Sequence, residues 1–89
     1  MNDLFSLEGY TSIITGAAGG LGRAMALAFA RAGSDVIVAD IQLPGAEETA
    51  AMLRDLGVRS TAVRCDIADP GQVEALAAHV QSEYGRLDV

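Results

Sequence analysis

Two short apolar runs rich in β-branched residues, Thr11–Thr15 and Asp35–Asp40, stand on either side of a stretch with helical periodicity. The second run, Asp35-Val36-Ile37-Val38-Ala39-Asp40, is apolar without alternation, the pattern of a strand buried on both faces of a parallel sheet. Between the runs Leu21, Ala24, Met25, Ala28, Phe29 and Ala32 recur at spacings of three and four, which predicts an amphipathic helix with these residues on its buried stripe. Arg23 and Arg31 fall off that stripe. Gly16 ends the first run, and Gly33 stands where a left-handed residue closes a helix cheaply.

The plan then repeats. Pro44 and Gly45 break the chain ahead of a helix expected over Ala46–Leu56, with Ala46, Ala50 and Leu53 on one face and Gly57 as its stop. Ser60–Cys65 reads as a third strand, and its lower apolar content suits a place near the sheet edge. Asp69-Pro70-Gly71-Gln72 opens a third helix: Asp69 caps, Pro70 suits the first helical position, and Gln72 completes a capping box. Val73, Leu76, Ala77, Val80 and Tyr84 form its predicted buried stripe, and Gly85 ends it. Leu87-Asp88-Val89 begins a fourth apolar segment. This β-α-β-α-β-α-β order with short connections implies the α/β class, a doubly wound parallel sheet of strand order 3-2-1-4.

Composition bounds the partners. The 89 residues are one small domain, and a 51% hydrophobic content argues against disorder. The longest uninterrupted apolar run, Ala24–Ala30, is too short to span a membrane. An acid in the opening Met1-Asn2-Asp3 argues against a signal peptide, and the single cysteine, Cys65, has no internal disulfide partner. Both fit a cytoplasmic address. With a net charge of −6 and its acids scattered, the chain offers no basic face for nucleic acid or for a membrane surface. Every basic residue is arginine, so a P-loop lysine and a Schiff-base lysine are both excluded.

The stretch Thr15-Gly16-Ala17-Ala18-Gly19-Gly20-Leu21-Gly22 lies where a strand hands over to a helix, the place at which a doubly wound sheet binds phosphate. Gly16 allows the sharp turn, Gly19 and Gly20 leave room for backbone N–H groups to approach an anion, and Gly22 permits close packing of the helix. The spacing is G-x-x-x-G-x-G rather than G-x-G-x-x-G, and a tight turn without ligand would show the same glycines. Asp40 sharpens the reading. It ends the second strand eighteen residues after Gly22, where a carboxylate can accept from a ribose 2′-hydroxyl and repel a 2′-phosphate. One such charge pair at 4 Å costs roughly 4 kcal/mol at an effective dielectric of 20. A third of that favours NAD over NADP about tenfold. Ile41 and Gln42 follow, with no arginine to welcome a phosphate. Asp66, beside Ile67 at the end of the third strand, is placed to accept from an adenine amino group while a neighbouring N–H donates to a ring nitrogen.

Thr15-Gly16-x-x-x-Gly20-x-Gly22, Asp40, Cys65-Asp66-Ile67 and Gly85-Arg86-Leu87-Asp88-Val89 together resemble the short-chain dehydrogenase/reductase family, over the whole chain. The opening Met1–Leu7 resembles that of sugar-acid members such as gluconate 5-dehydrogenase. The resemblance implies a Rossmann-type fold, of which residues 1–89 are the N-terminal, NAD-binding part. It implies that Gly16, Gly20 and Leu21 line the pyrophosphate, with Ala18 and Gly19 in the same loop, and that Gly22 allows the packing. It places Asp40, with Ile41, at the adenosine ribose, and Asp66 with Ile67 at the adenine. It also implies an oxidoreductase transferring hydride between the nicotinamide and an alcohol or ketone, in a parent enzyme that is a homo-oligomer.

The family's catalytic serine and Tyr-x-x-x-Lys pair have no counterpart here, because neither Tyr10 nor Tyr84 is followed four residues later by lysine. The chain is therefore expected to bind NAD through its ADP portion and to be inert alone. The alternative is a freestanding nucleotide-binding or assembly module without chemistry of its own. Because Leu87-Asp88-Val89 stops as a strand begins, the first reading is preferred, with self-association through exposed apolar surface. Cys65 reads as a small strand residue and His79 as a solvated one beside the third helix's apolar stripe.

Overall fold

The computed structural model describes residues 8–85. Three strands and three helices alternate: β1 (Thr11–Thr15), α1 (Gly20–Arg31), β2 (Asp35–Asp40), α2 (Leu43–Arg54), β3 (Ser60–Arg64) and α3 (Pro70–Tyr84). The strands form one parallel sheet ordered β1-β2-β3, with Thr11 opposite Asp35 and Val36 opposite Ser60. β2 is thus central and β3 an edge, as its lower apolar content implied. The fourth strand expected from Leu87 onward, and the motif residues 86–89 and 1–7, lie outside the described residues.

Successive side chains of a strand point to opposite faces, and the two faces of this sheet carry two separate cores. Ile14, Val36 and Val38 pack with Ala26 and Ala30 of α1 and with Ala46, Ala50 and Leu53 of α2. On the other face Ile37 and Ala39 pack with Cys65 and with Leu76 and Val80 of α3. Burying a side chain such as Leu53 contributes about 1.5–3 kcal/mol.

The inward face of α1 is not the one the larger apolar residues suggest. Leu21 is 78% exposed and Met25 44%, whereas Ala26 and Ala30 are buried. The row that faces inward is Gly22, Ala26 and Ala30, four residues apart, with Leu27 and Phe29 packing at its flank. Close approach to the preceding turn sets this phase. A Cβ on Gly22 would collide with the Gly16 carbonyl oxygen and come within 2.7 Å of its carbon. Small residues at the contact line therefore outrank bulkier ones.

α2 begins three residues before its expected start. Pro44 does not break the chain but sits in the first turn, where its missing N–H has no helical partner to lose. Gly45 in that turn packs on the glycine loop: a Cβ there would stand 2.8 Å from the Ala18 Cβ. The inward face is Ala46, Thr49, Ala50 and Leu53, and the helix ends at Arg54, two residues short of expectation. α3 is capped by Asp69, which accepts from the Gly71 and Gln72 N–H groups. Gln72 does not close a reciprocal box, since its Oε1 accepts from the Asp66 N–H and not from that of Asp69. Of its predicted stripe Leu76 and Val80 are buried, while Val73 is exposed beside an apolar cavity of about 440 Å³ along β1. Gly33, Gly57 and Gly85 all adopt positive φ beyond their helices. Among the described residues no helix is long and apolar enough to cross a membrane.

Candidate functional site

The three parallel strands end side by side, and the residues that follow them share one cleft. Gly16 after β1, Asp40 and Ile41 at the end of β2, and Cys65, Asp66 and Ile67 after β3 line a cavity of about 210 Å³. Five of the ten sequence-predicted site residues therefore meet: Gly16, Asp40, Ile41, Asp66 and Ile67. Parallel pairing is the cause, because it delivers every strand's carboxyl end to the same edge of the sheet.

The other five belong to the loop and the helix it opens. Gly16 and Gly20 hold φ of 66° and 57°, the left-handed region that favours glycine. The Gly16 N–H still continues the ladder by donating to the Ala39 carbonyl at 2.9 Å. Gly19 is the N-cap of α1 in extended conformation, with no side-chain cap and no acid in the first turn. The first helical hydrogen bond runs from the Arg23 N–H to the Gly19 carbonyl. The N–H groups of Gly20, Leu21 and Gly22 thus have no intrahelical acceptor, and the helix dipole adds partial positive charge at this end. Leu21 itself projects outward.

Ala18 and Asp40 are joined directly. The Ala18 N–H donates to Asp40 Oδ2 at 3.0 Å, while Asp40 Oδ1 accepts from the Gln42 N–H at 2.9 Å. Each carboxylate oxygen keeps lone-pair capacity for a further donor, since an ionised carboxylate offers about four sites. Asp66 is arranged similarly, its Oδ1 accepting from the Ala68 N–H at 2.9 Å. The cleft thus holds acceptors at two strand ends, and the loop leaving it at Gly16 leads to a helix start whose first N–H groups have no intrahelical acceptor. It suits a ligand carrying hydroxyl or amino donors at one end and an anion at the other.

A clamp behind the loop escaped the sequence reading. The Arg23 guanidinium donates through Nε to Thr49 Oγ1 at 2.8 Å and through Nη2 to the Ala18 carbonyl at 2.7 Å. Nη2 also reaches the Gly45 carbonyl at 3.4 Å, and Nη1 pairs with Glu48 at 2.8 Å. Thr49, fully buried, donates to the Ala17 carbonyl at 2.7 Å. The available signal was Thr49, a polar residue on the apolar face of α2 between Ala46, Ala50 and Leu53. Arg23 gave a weaker one, as a charge beside the Gly22-Ala26-Ala30 row.

A cavity of about 460 Å³ lies elsewhere, lined by Ile37, Arg59, Thr61, His79, Tyr84 and neighbours. There the Arg59 guanidinium stacks 4.5 Å from the Tyr84 ring centroid and pairs with Asp35, while Thr61 bonds the Tyr84 hydroxyl. None of the predicted site residues lines it. Cys65 is buried and His79 exposed, as expected of a small strand-end residue and a solvated histidine.

Residues 11–89 match the family described as short chain dehydrogenase. The short chain dehydrogenase/reductase dpchG of Colletotrichum higginsianum is 45% identical over 83 residues, covering 93% of this chain and 31% of that protein. A Yarrowia lipolytica protein named "Probable NADP-dependent mannitol dehydrogenase" is 36% identical over 85 residues, covering 96% of this chain and 31% of its own length. Among solved structures, a 7 alpha-hydroxysteroid dehydrogenase complexed with NADH and 7-oxo glycochenodeoxycholic acid superposes with a TM-score of 0.91 at 38% identity. That match covers 99% of this chain and 35% of the other. The chain thus spans about a third of the length of the relatives it matches.

Proposed function

The chain belongs to the short-chain dehydrogenase/reductase family, and from that membership and the cleft geometry we propose that it forms the NAD-binding part of such an oxidoreductase. The observation that carries the proposal is the meeting of two strand-end carboxylates with the first glycine of the loop that opens α1. Gly16 and the Asp40 and Asp66 carboxylates share one cleft, and the loop that starts at Gly16 leads into α1, where the N–H groups of Gly20–Gly22 have no intrahelical acceptor. Those residues fit a dinucleotide: the space where a Cβ of Gly16, Gly19 or Gly20 would stand is open to 4 Å. The N–H groups of the loop and helix start would hold the diphosphate, with Leu21 beside it and Gly22 keeping the helix close. Asp40, with Ile41, would take the adenosine ribose hydroxyls. Asp66 would accept from the adenine amino group, with the Ile67 N–H donating to the ring. When bound, NAD supplies the hydride acceptor for an alcohol substrate in the parent enzyme.

Asp40 also sets the preference for NAD over NADP in this reading, because its charge faces the position of a 2′-phosphate. The relatives divide on this point by name, one bound to NADH and one called NADP-dependent. The substrate is an alcohol or ketone, a sugar acid being the narrower expectation. The sequence contains no lysine, so the Tyr-x-x-x-Lys pair that would move the proton is not supplied by these residues.

Calorimetric titration of the 89-residue chain with NAD and NADP tests the assignment. NAD should bind about tenfold more tightly, the factor expected of a screened charge repulsion. Asp40→Asn, which keeps an oxygen for the Ala18 N–H but removes the charge, should close most of that gap. Equal affinity of the unaltered chain for the two cofactors would refute the role of Asp40, and no binding of either would refute the dinucleotide reading. Alcohol oxidation by the purified chain would contradict its proposed dependence on residues outside this sequence.

A further inference from the structure

The C=O and N–H of a trans peptide unit point in opposite directions, so fixing one aims the other. Two successive peptide units of the glycine loop are fixed in this way from behind. In the unit joining Ala17 and Ala18, the carbonyl accepts from Thr49 at 2.7 Å and the N–H donates to Asp40 at 3.0 Å. Both of its groups are used. In the unit joining Ala18 and Gly19, the carbonyl accepts from Arg23 at 2.7 Å, and the Gly19 N–H on its opposite side has no partner among the described residues. Were this unit to flip, a carbonyl lone pair would stand where the Gly19 N–H donor now does.

We infer that Arg23 is a positioning residue of the diphosphate subsite, holding the Ala18–Gly19 peptide so that the Gly19 N–H is presented to the anion. This rests on the dinucleotide reading above and deepens it. Arg23 does not act as a phosphate ligand itself. Its guanidinium is taken up by Thr49, Ala18, Gly45 and Glu48, its charge is paired with that carboxylate, and its side chain is only 23% exposed. The planar fork is what lets one side chain span α2 and the loop together, and a lysine ammonium cannot reproduce that span. Nor is the clamp general packing. It ties the loop to the first turn of α2 at the point where Gly45 and Ala18 touch.

ADP and adenosine separate this role from a merely structural one, because only ADP reaches the diphosphate subsite. In calorimetric titrations of the 89-residue chain, Arg23→Met should weaken ADP about tenfold while leaving adenosine within about twofold. Arg23→Lys keeps the charge and a smaller set of contacts, should lose about threefold for ADP alone, and carries the test if the methionine variant does not fold. Far-UV circular dichroism establishes which variants are folded. Equal losses for both ligands, or ADP affinity unchanged in the folded variants, would overturn the proposal and leave the dinucleotide reading standing. An unaltered chain that binds neither ligand would overturn both.

Discussion

Replacing Gly22 by alanine places a methyl group against backbone that has nowhere to go. The new Cβ would collide with the Gly16 carbonyl oxygen and lie 2.7 Å from the Gly16 carbon and 3.0 Å from the Ala17 Cα. That turn is held on both sides, by the Gly16 N–H on Ala39 and by Thr49 on the Ala17 carbonyl. Overpacking of this kind costs about 1–3 kcal/mol, and contact with fixed backbone belongs at or above the top of that range. Alanine's better helix propensity returns up to about 1 kcal/mol. The net loss is about 2 kcal/mol, and with a urea m-value of about 1 kcal/mol/M the unfolding midpoint falls by about 2 M. Gly20→Ala meets open space but must hold a φ of 57°, at a cost of about 1 kcal/mol. Gly19→Ala meets open space in an extended conformation and should stay within about 0.5 kcal/mol of the unaltered chain. Urea unfolding followed by far-UV circular dichroism measures all three. A Gly22→Ala midpoint within about 0.5 M of the unaltered chain, or a Gly19→Ala chain less stable than Gly22→Ala, would refute this division of labour.

Two further substitutions probe the scaffold. Asp69→Ala removes the side-chain acceptor of the Gly71 and Gln72 N–H groups and should cost about 1 kcal/mol in the same unfolding assay. Ser60→Ala removes the one buried side-chain oxygen that has no hydrogen-bond partner among the described residues. Because a lone buried hydroxyl is itself unfavourable, the alanine chain should unfold at equal or higher urea, and a loss above about 1 kcal/mol would show a partner for that oxygen.

The sequence was most legible where spacing and chemistry agree. β-branched runs located β1 and β2, and the step from Asp69 to Pro70 located the start of α3 to the residue. The strand-end acids were found because parallel topology alone brings Asp40 and Asp66 to one edge. What stayed hidden depends on distance between elements rather than on period. The phase of α1 follows from contact between Gly22 and Gly16, and a hydrophobicity count favours Leu21 and Met25 because it cannot register the value of being small. Pro44 read as a breaker because the same residue serves equally outside a helix and in its first turn. The Arg23 clamp joins residues 26 apart in sequence through a buried hydroxyl, and no local pattern announces such a partner.

The separation of the two cores has a kinetic consequence. α3 is secured to the sheet through a small cluster of its own, and the single cysteine of the chain lies inside that cluster, 3% exposed beneath Leu76 and Val80. The other face, where α1 and α2 close over β1 and β2, contains no thiol. Because Cys65 also lines the cleft, a thiol-specific reagent reaches its sulfur as the packing on this face loosens, while the opposite face can remain assembled. The rate of Cys65 labelling is a clock for loosening of this face alone, and the chain carries its own reporter of how firmly the floor of the cleft is held.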